Sequence, residues 1–125
     1  MIEALHHVQL AIPEGGEDEA RRFYGTVLGL AEVAKPDALA GRGGIWFEDG
    51  VLRLHLGVEI PFRPARKAHP AFRVADLDAA KARLDAHGVA WRADIDLPGL
   101  RRVYVDDPHG NRIELLALAK DAVSR

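Results

Sequence analysis

The sequence contains one pattern twice, and this repeat constrains the fold more than any other feature. His7 and His69 lie 62 residues apart in a chain of 125, and each begins a segment with alternating apolar residues. Each segment leads into a helix-like stretch with acidic residues in its first turn and a glycine at its end, Gly29 and Gly88. The repeat therefore predicts two copies of one supersecondary unit.

The second half of each copy supports the same alignment. The segment RLHL at 53–56 matches RIEL at 112–115, so His55 corresponds to Glu114. Alternating apolar and polar residues in such segments are typical of half-buried strands. We therefore predict an α+β fold of two β-α-β-β-β modules in one domain, 1–125. The modules span 1–60 and 68–120, and a Pro- and Arg-rich connector joins them.

Local signals predict the individual elements. Asp76 is a suitable N-cap for the second helix, which ends at Gly88. The stretch between Gly29 and the first hairpin contains Pro36 and is predicted to be a loop. The predicted strands span 4–12, 45–49, 51–58, 69–74, 89–93, 101–105 and 112–118, and the predicted helices span 17–27 and 76–87.

The available reactive residues exclude several kinds of chemistry. The chain has no cysteine, which excludes disulfides, thiolate nucleophiles and iron–sulfur clusters. Its only serine, Ser124, is next to the last residue, and its only threonine is Thr26. No Ser-His-Asp triad and no GK[ST] phosphate loop is therefore predicted. Six histidines and 19 acidic residues remain as candidates.

Charge and hydropathy exclude two classes of partner. The formal net charge is −2, so no basic field indicates nucleic acid. No stretch approaches the 18 or so apolar residues of a membrane span, and residues 1–10 do not have the pattern of a leader peptide. We expect a cytoplasmic protein without a nucleic-acid or membrane partner.

Polar residues alternate with the apolar ones and are predicted to share the opposite side of each sheet. Two histidines and a carboxylate at matching positions, His7, His69 and Glu114, suit Fe(II), Mn(II), Ni(II) or Zn(II) with coordination positions left open for substrate. The alternative is an ordinary solvent-exposed face. The other polar residues predicted on this side are Gln9, Arg53, His55, Arg73, Arg102, Tyr104 and Arg112.

The arginines on this side predict the charge of a ligand. Guanidinium groups suit carboxylates and phosphates, so Arg53, Arg102 and Arg112 favour a small anionic substrate. Tyr104 can hydrogen-bond a substrate oxygen, or else it packs within the sheet. Trp46 and Phe47 are adjacent, so one should line the cavity and the other the core, whereas His109 is expected to be solvated in its turn.

Three motifs together resemble a known family over nearly the whole chain. LHHVQLAIP…EARRFYGTVLGL resembles the opening motif of the vicinal oxygen chelate superfamily, which includes glyoxalase I, extradiol dioxygenases, fosfomycin-resistance proteins and bleomycin-resistance proteins. AHPAFRVADLDAAKARLDAHGV is similar to the opening of its second module. VYVDDPHGNRIELL is similar to its closing D-P-x-G-x-x-x-E signature.

This resemblance implies a curved sheet that lines a cavity, and a homodimer. It implies that His7, His69 and Glu114 bind a divalent metal ion, which can be Zn, Ni, Mn, Fe or Co. It places His55 where many members have a fourth ligand or base, usually Glu or Gln. His55 is therefore a candidate ligand, a candidate base or a packing residue, and Tyr104 is a second candidate catalytic residue. Gln9 joins the arginines as a candidate for substrate binding.

The departures from the family narrow the implied function. One double module of 125 residues disfavours an extradiol dioxygenase, which usually has two. The stretch DIDLPGLRR at 94–102 lacks the Ser and Glu typical of fosfomycin-modifying members. The leading hypothesis is a metal-dependent lyase or isomerase of the glyoxalase kind. The alternative is a protein like the bleomycin-resistance proteins, which binds a small molecule or antibiotic without converting it.

Overall fold

The computed structural model of the protein describes residues 1–119. The predicted end of the second module, at 120, lies outside them. The chain divides into two compact units. The first comprises Met1–Ala65 and Pro108–Gly110, and the second comprises Arg66–Asp107 and 111–119. Within the described part of the chain, no helix has the length and apolar character needed to cross a membrane.

The first unit is a four-stranded sheet with one long helical connection. Its strand order is β1-β4-β3-β2, with β1 parallel to β4 and the other pairs antiparallel. The helix α1 continues as a wider π-helical segment, and a 3₁₀ helix precedes β3. The elements are β1 (Val8–Ile12), α1 (Glu17–Ala20), the π-helical segment (Arg21–Val27), β2 (Glu32–Val33), the 3₁₀ helix (Asp37–Arg42), β3 (Ile45–Asp49) and β4 (Leu52–Val58).

Two predictions for this unit were wrong. The first strand begins at Val8 and not at residue 4. The predicted loop before β3 contains the short strand β2 and the 3₁₀ helix. β2 has only two residues, too few to show an alternating pattern. Its position depends on pairing with β3, in which Val33 lies opposite Trp46.

The second unit has the same topology. Its strand order is β5-β8-β7-β6, again with the first strand parallel to the last. The predicted fold class, built from two β-α-β-β-β modules, is therefore confirmed. The elements are β5 (Ala71–Arg73), α2 (Leu77–Ala86), β6 (Trp91–Ala93), β7 (Leu100–Asp106) and β8 (Arg112–Leu118).

The predicted boundaries of α2 are confirmed by their capping geometry. The Asp76 carboxylate accepts a hydrogen bond of 3.1 Å from the backbone N–H of Ala79. Gly88 follows the helix with φ of +70°, a conformation that a side chain disfavours. These two residues determine where α2 begins and ends.

The alternation in the strands determines which side chains enter each core. In β4, Leu54 and Leu56 are buried, and in β8 Ile113 and Leu115 are buried. Phe47, 1% exposed, belongs to the core, so Trp46 must lie on the other side of β3. The remaining buried apolar side chains include Leu10, Ile12, Phe23, Tyr24, Val27, Ile45, Leu77, Leu84, Val103, Val105 and Ala117.

Candidate functional site

His69 and Glu114 form a close pair in the second unit. His69 Nε2 lies 2.9 Å from Glu114 Oε1. The other ring nitrogen, Nδ1, lies 2.9 Å from the backbone oxygen of Lys67. A carbonyl oxygen only accepts, so Nδ1 holds the proton of that hydrogen bond. A neutral His69 ring therefore presents the lone pair of Nε2 to Glu114.

With a neutral His69 ring in this tautomer and an ionised Glu114, two acceptor atoms face each other. An ionised Glu114 also has only acceptor atoms, and the residue is 6% exposed, so water contributes little. A proton or a metal cation between Nε2 and Oε1 satisfies both atoms. Nitrogen and oxygen ligands of a divalent ion would each lie about 2.0–2.2 Å from it, so two atoms 2.9 Å apart would be close enough to bind the same ion. The donor atoms and their separation therefore fit a divalent ion.

Tyr104 lies beside this pair on β7, directly opposite Glu114 in the sheet. Its ring packs edge-on against His69, with centroids 5.3 Å apart. Its hydroxyl accepts a hydrogen bond of 3.1 Å from Arg102 Nη1. Arg102 also forms ion pairs with Asp94 and Glu114, at 3.4 and 3.8 Å. Tyr104 thus lies next to the His69–Glu114 pair, and Arg102 orients its hydroxyl group.

Arg112 is the least satisfied cation of this cluster. Its guanidinium lies 5.0 Å from the centroid of the Tyr104 ring. Its Nε is buried and makes no hydrogen bond to any described residue. A buried donor without a partner costs about 1–3 kcal/mol, so a ligand oxygen that reached it would be bound favourably. Arg112 therefore supports the predicted anionic substrate more directly than Arg102 does.

His55 is enclosed in the first unit. Its ring stacks on Trp46, with centroids 3.7 Å apart and planes at 3°, and on His7, at 4.5 Å and 23°. Its Nε2 lies 3.2 Å from Glu48 Oε2. Burial lowers the pKa of His55, although the hydrogen bond to Glu48 acts in the opposite direction. The ring is therefore neutral at pH 7 and able to accept a proton.

His7 is exposed and directly precedes β1. Its Nδ1 lies 3.0 Å from Nδ1 of His6, and its Nε2 has no partner among the described residues. Arg53, on β4, donates a hydrogen bond of 3.3 Å to the backbone oxygen of His6. Gln9 lies opposite His55 in the sheet. His7 thus has a nitrogen available for a ligand, whereas Arg53 is partly engaged with the backbone.

The predicted ligands occur in both units. His7 belongs to the first unit, and His69 and Glu114 belong to the second. Within residues 1–119, no group of three or more His, Cys, Asp or Glu side chains is arranged to hold a metal ion. The convergence of the three residues on one ion stays a prediction.

Glu48 is a candidate site residue that the sequence analysis did not select. Glu48 follows Trp46 by two residues on β3, so the two side chains share one face of the strand. The alternation in the sequence could have indicated this position. Its contact with His55 depends on the register of β3 with β4.

His109 was expected to be solvated, but it is half-buried, with Nε2 3.0 Å from the backbone oxygen of Gly16. This contact with the backbone just before α1 gives His109 a structural role, and hydrogen bonds from Asn111 to the Asp107 carboxylate shape the turn itself.

Comparison with known proteins identifies the family. A family model described as the glyoxalase/bleomycin resistance protein/dioxygenase superfamily matches residues 4–115. The chain belongs to this superfamily. The match includes both modules and the three residues expected to bind metal. No curated protein matches the chain.

Solved structures of the superfamily support the assignment. A protein from Bacillus anthracis, described as of the glyoxalase family, is 45% identical with a TM-score of 0.92, covering 95% of this chain and 98% of that one. A lactoylglutathione lyase from Agrobacterium tumefaciens is 26% identical, with a TM-score of 0.72 and coverage of 94% and 95%. TnmS3, an antibiotic binding protein from Streptomyces sp. CB03234, is 25% identical, with a TM-score of 0.73 and coverage of 95% and 100%.

Proposed function

We propose that the protein is a divalent-metal-dependent enzyme of the lyase or isomerase type. Its substrate is a small anion that offers neighbouring oxygen atoms. His7, His69 and Glu114 bind the ion, which is Zn, Ni, Mn, Fe or Co. The observation that carries this proposal is the His69–Glu114 pair, in which Nε2 and Oε1 lie 2.9 Å apart while Nδ1 of the same ring contacts the backbone oxygen of Lys67.

Other residues of the proposed site supply a general base and a hydrogen-bond donor. A divalent ion, when bound, supplies a Lewis acid for two neighbouring substrate oxygens. His55 is the general base: its Nε2–H donates to Glu48, so Nδ1 carries the lone pair that accepts a proton. Tyr104 donates its hydroxyl proton to a substrate oxygen, while Arg102 fixes the position of that hydroxyl.

The anionic part of the substrate binds to the arginines. Arg112 contributes a buried Nε that lacks a partner in the described chain, and Arg102 lies beside it around Tyr104. Arg53 and Gln9 contribute further donors from the first unit. Guanidinium groups bind carboxylates and phosphates through two parallel hydrogen bonds, which orients the substrate as well as holding it.

Metal content tests the proposal. Protein stripped of metal and then offered each of the five ions should bind about one ion per chain, measured by elemental analysis after gel filtration. His69→Ala and Glu114→Ala should each lose most of this binding, because each removes one of only three ligands. His87→Ala is the matched control, since His87 is exposed at the end of α2. Wild-type protein that binds none of the ions would contradict the proposal.

A binding protein without catalysis is the second candidate. The similarity to TnmS3, over 95% of this chain, favours it, and so does the enclosure of His55 between two rings. Such a protein would hold a small molecule without metal and release it unchanged. A tight complex formed by metal-free protein, with the ligand recovered intact, would establish this function in place of the first.

A further inference from the structure

A small pocket in the first unit lies beside the His55 stack. Its volume is about 200 Å³, and it is bounded by β1, β3, β4 and the 3₁₀ helix. It contains none of the proposed metal ligands, although Trp46 both lines it and stacks on His55. The lining residues are Gln9, Lys35, Leu39, Arg42, Gly43, Trp46, Leu56, Gly57 and Val58.

The charged residues of this pocket are both cations. Lys35 and Arg42 line it, and no lining residue is acidic. Arg42 forms no hydrogen bond or ion pair with any residue in 1–119, and Lys35 donates to the backbone oxygen of Gly43. Glu17, the acidic residue that interacts with Lys35, already accepts the Gly44 N–H at 2.8 Å. Glu17 therefore offsets part of the Lys35 charge, whereas the charge of Arg42 has no acidic partner among the described residues.

The segment that carries both cations is fixed to the sheet. A Cβ at Gly44 would lie 2.1 Å from the backbone oxygen of Leu56, so only glycine allows this approach. The hydrogen bond from Gly44 to Glu17 fixes the same point to α1. Because the segment is fixed before a ligand arrives, binding costs less ordering entropy.

Apart from Gln9, the remaining side chains of the lining are apolar. Trp46 presents an indole, and Leu39 presents an aliphatic group. The absence of a side chain at Gly57 leaves room for Gln9, whose Nε2 would lie 2.7 Å from a Cβ there. The volume is below the roughly 300–1,000 Å³ of pockets for drug-sized ligands. The space suits one ring with one charged group.

We propose that this pocket binds a small, flat organic anion, such as an aromatic carboxylate, and that binding does not require metal. The anionic group lies at Lys35 and Arg42, and the ring lies on Trp46. Gln9 supplies an amide donor to the same anion. The pocket shares Gln9 with the substrate donors proposed above, and its binding is distinguished from the metal-dependent function because metal-free protein should show it.

Fluorescence of Trp46 provides the test. The chain has two tryptophans, so the variant Trp91→Phe leaves Trp46 as the only one. In this metal-free variant, benzoate should change the fluorescence with saturation in the millimolar range or below. Benzamide has the same shape without the charge and should bind at least about tenfold more weakly, since a charged hydrogen-bond partner is lost.

Further substitutions in this variant locate the binding. Arg42→Gln should raise the benzoate Kd about tenfold. Arg22→Gln should leave it unchanged, because Arg22 is an exposed arginine of the same unit outside the pocket. Gly57→Ala should also weaken binding, because it displaces the flexible end of Gln9 into the pocket.

Three results would overturn the proposal: no saturable change with benzoate, equal affinity for benzoate and benzamide, or an Arg42→Gln variant that binds as Arg22→Gln does. Each of these leaves the metal measurement on His69 and Glu114 unaffected, because those residues are outside the pocket. Failure of metal binding with intact benzoate binding would contradict only the proposed enzyme.

Discussion

At the scale of single residues, His55 differs most from its counterpart in the repeat. Both His55 and Glu114 are buried on the polar side of their sheets, at matching positions in β4 and β8. Glu114 faces a histidine nitrogen, whereas His55 faces the carboxylate of Glu48. The first unit thus also pairs a histidine with a carboxylate, but the carboxylate comes from the neighbouring strand β3.

Replacing His55 separates its candidate roles. We expect His55→Ala to keep its metal and to lose turnover by roughly 10²–10⁴-fold, as for a positioned base. Metal content is measured by elemental analysis, and turnover is measured on a substrate found by screening with the wild type. Loss of the metal would show instead that His55 is a fourth ligand. Unchanged metal content and turnover would show that it only packs between Trp46 and His7.

Glu17 makes stability depend on pH. The Gly44 N–H stabilises the ionised carboxylate and lowers the pKa of Glu17. The stabilisation of the folded state is fully present above the pKa of about 4.3 that Glu17 has in the unfolded chain. It is lost as the pH falls through the lower pKa that Glu17 has in the folded state. Glu17→Gln should therefore cost about 1 kcal/mol at pH 7 in urea unfolding, and much less at pH 3. Glu19→Gln, an exposed neighbour in α1, should change little at either pH.

At the scale of elements, Gly44 determines how closely the segment before β3 packs on β4. Its φ is +82°, and its missing Cβ would lie 2.1 Å from the backbone oxygen of Leu56. Gly29 has nearly the same φ, +81°, with open space around it. Gly29→Ala therefore measures the backbone strain alone, about 1 kcal/mol.

Gly44→Ala should lower the free energy of unfolding more than the control Gly29→Ala does. Because β4 must shift to relieve the clash, we expect a loss of about 2 kcal/mol beyond that of Gly29→Ala. Denaturant unfolding of the two variants measures the difference directly. Equal losses would show that the segment moves freely away from β4.

At the scale of the whole molecule, each four-stranded sheet ends in two edge strands that pair on one side only among residues 1–119. These are β1 and β2 in the first unit, and β5 and β6 in the second. Exposed edges favour pairing with another chain, and closed symmetric dimers are the commonest oligomers. We expect sedimentation to show a homodimer at micromolar concentration. A monomer under these conditions would contradict this prediction.

A dimer also allows a test of which chain supplies each metal ligand. If His7 of one chain joins His69 and Glu114 of the partner, a mixed dimer of His7→Ala and Glu114→Ala chains has one intact site. If all three come from one chain, the same mixed dimer has none. Metal content of the mixed dimer, separated by differential tags, distinguishes these arrangements.

Much of this fold could be predicted from particular residues. Asp76 and Gly88 indicated the ends of α2, and the alternation in 112–118 indicated which side chains of β8 are buried. The correspondence of His55 with Glu114 indicated equivalent strand positions. β2 could not be predicted, because two residues carry no period and the strand depends on its partner β3.

The sequence by itself determined the two-module topology, the apolar face of strands such as β4 and β8, and the residue types available for a metal site. The topology follows from the repeat of one pattern 62 residues apart, and the apolar faces follow from alternation between neighbouring residues. Only the tertiary structure decided that Phe47 is buried while Trp46 stacks on His55, and that Glu48 contacts that ring. It also decided that the Lys67 backbone oxygen and Glu114 contact the two nitrogens of the His69 ring. The physical reason is that these contacts depend on strand register and backbone direction, which bring together residues that no local pattern relates.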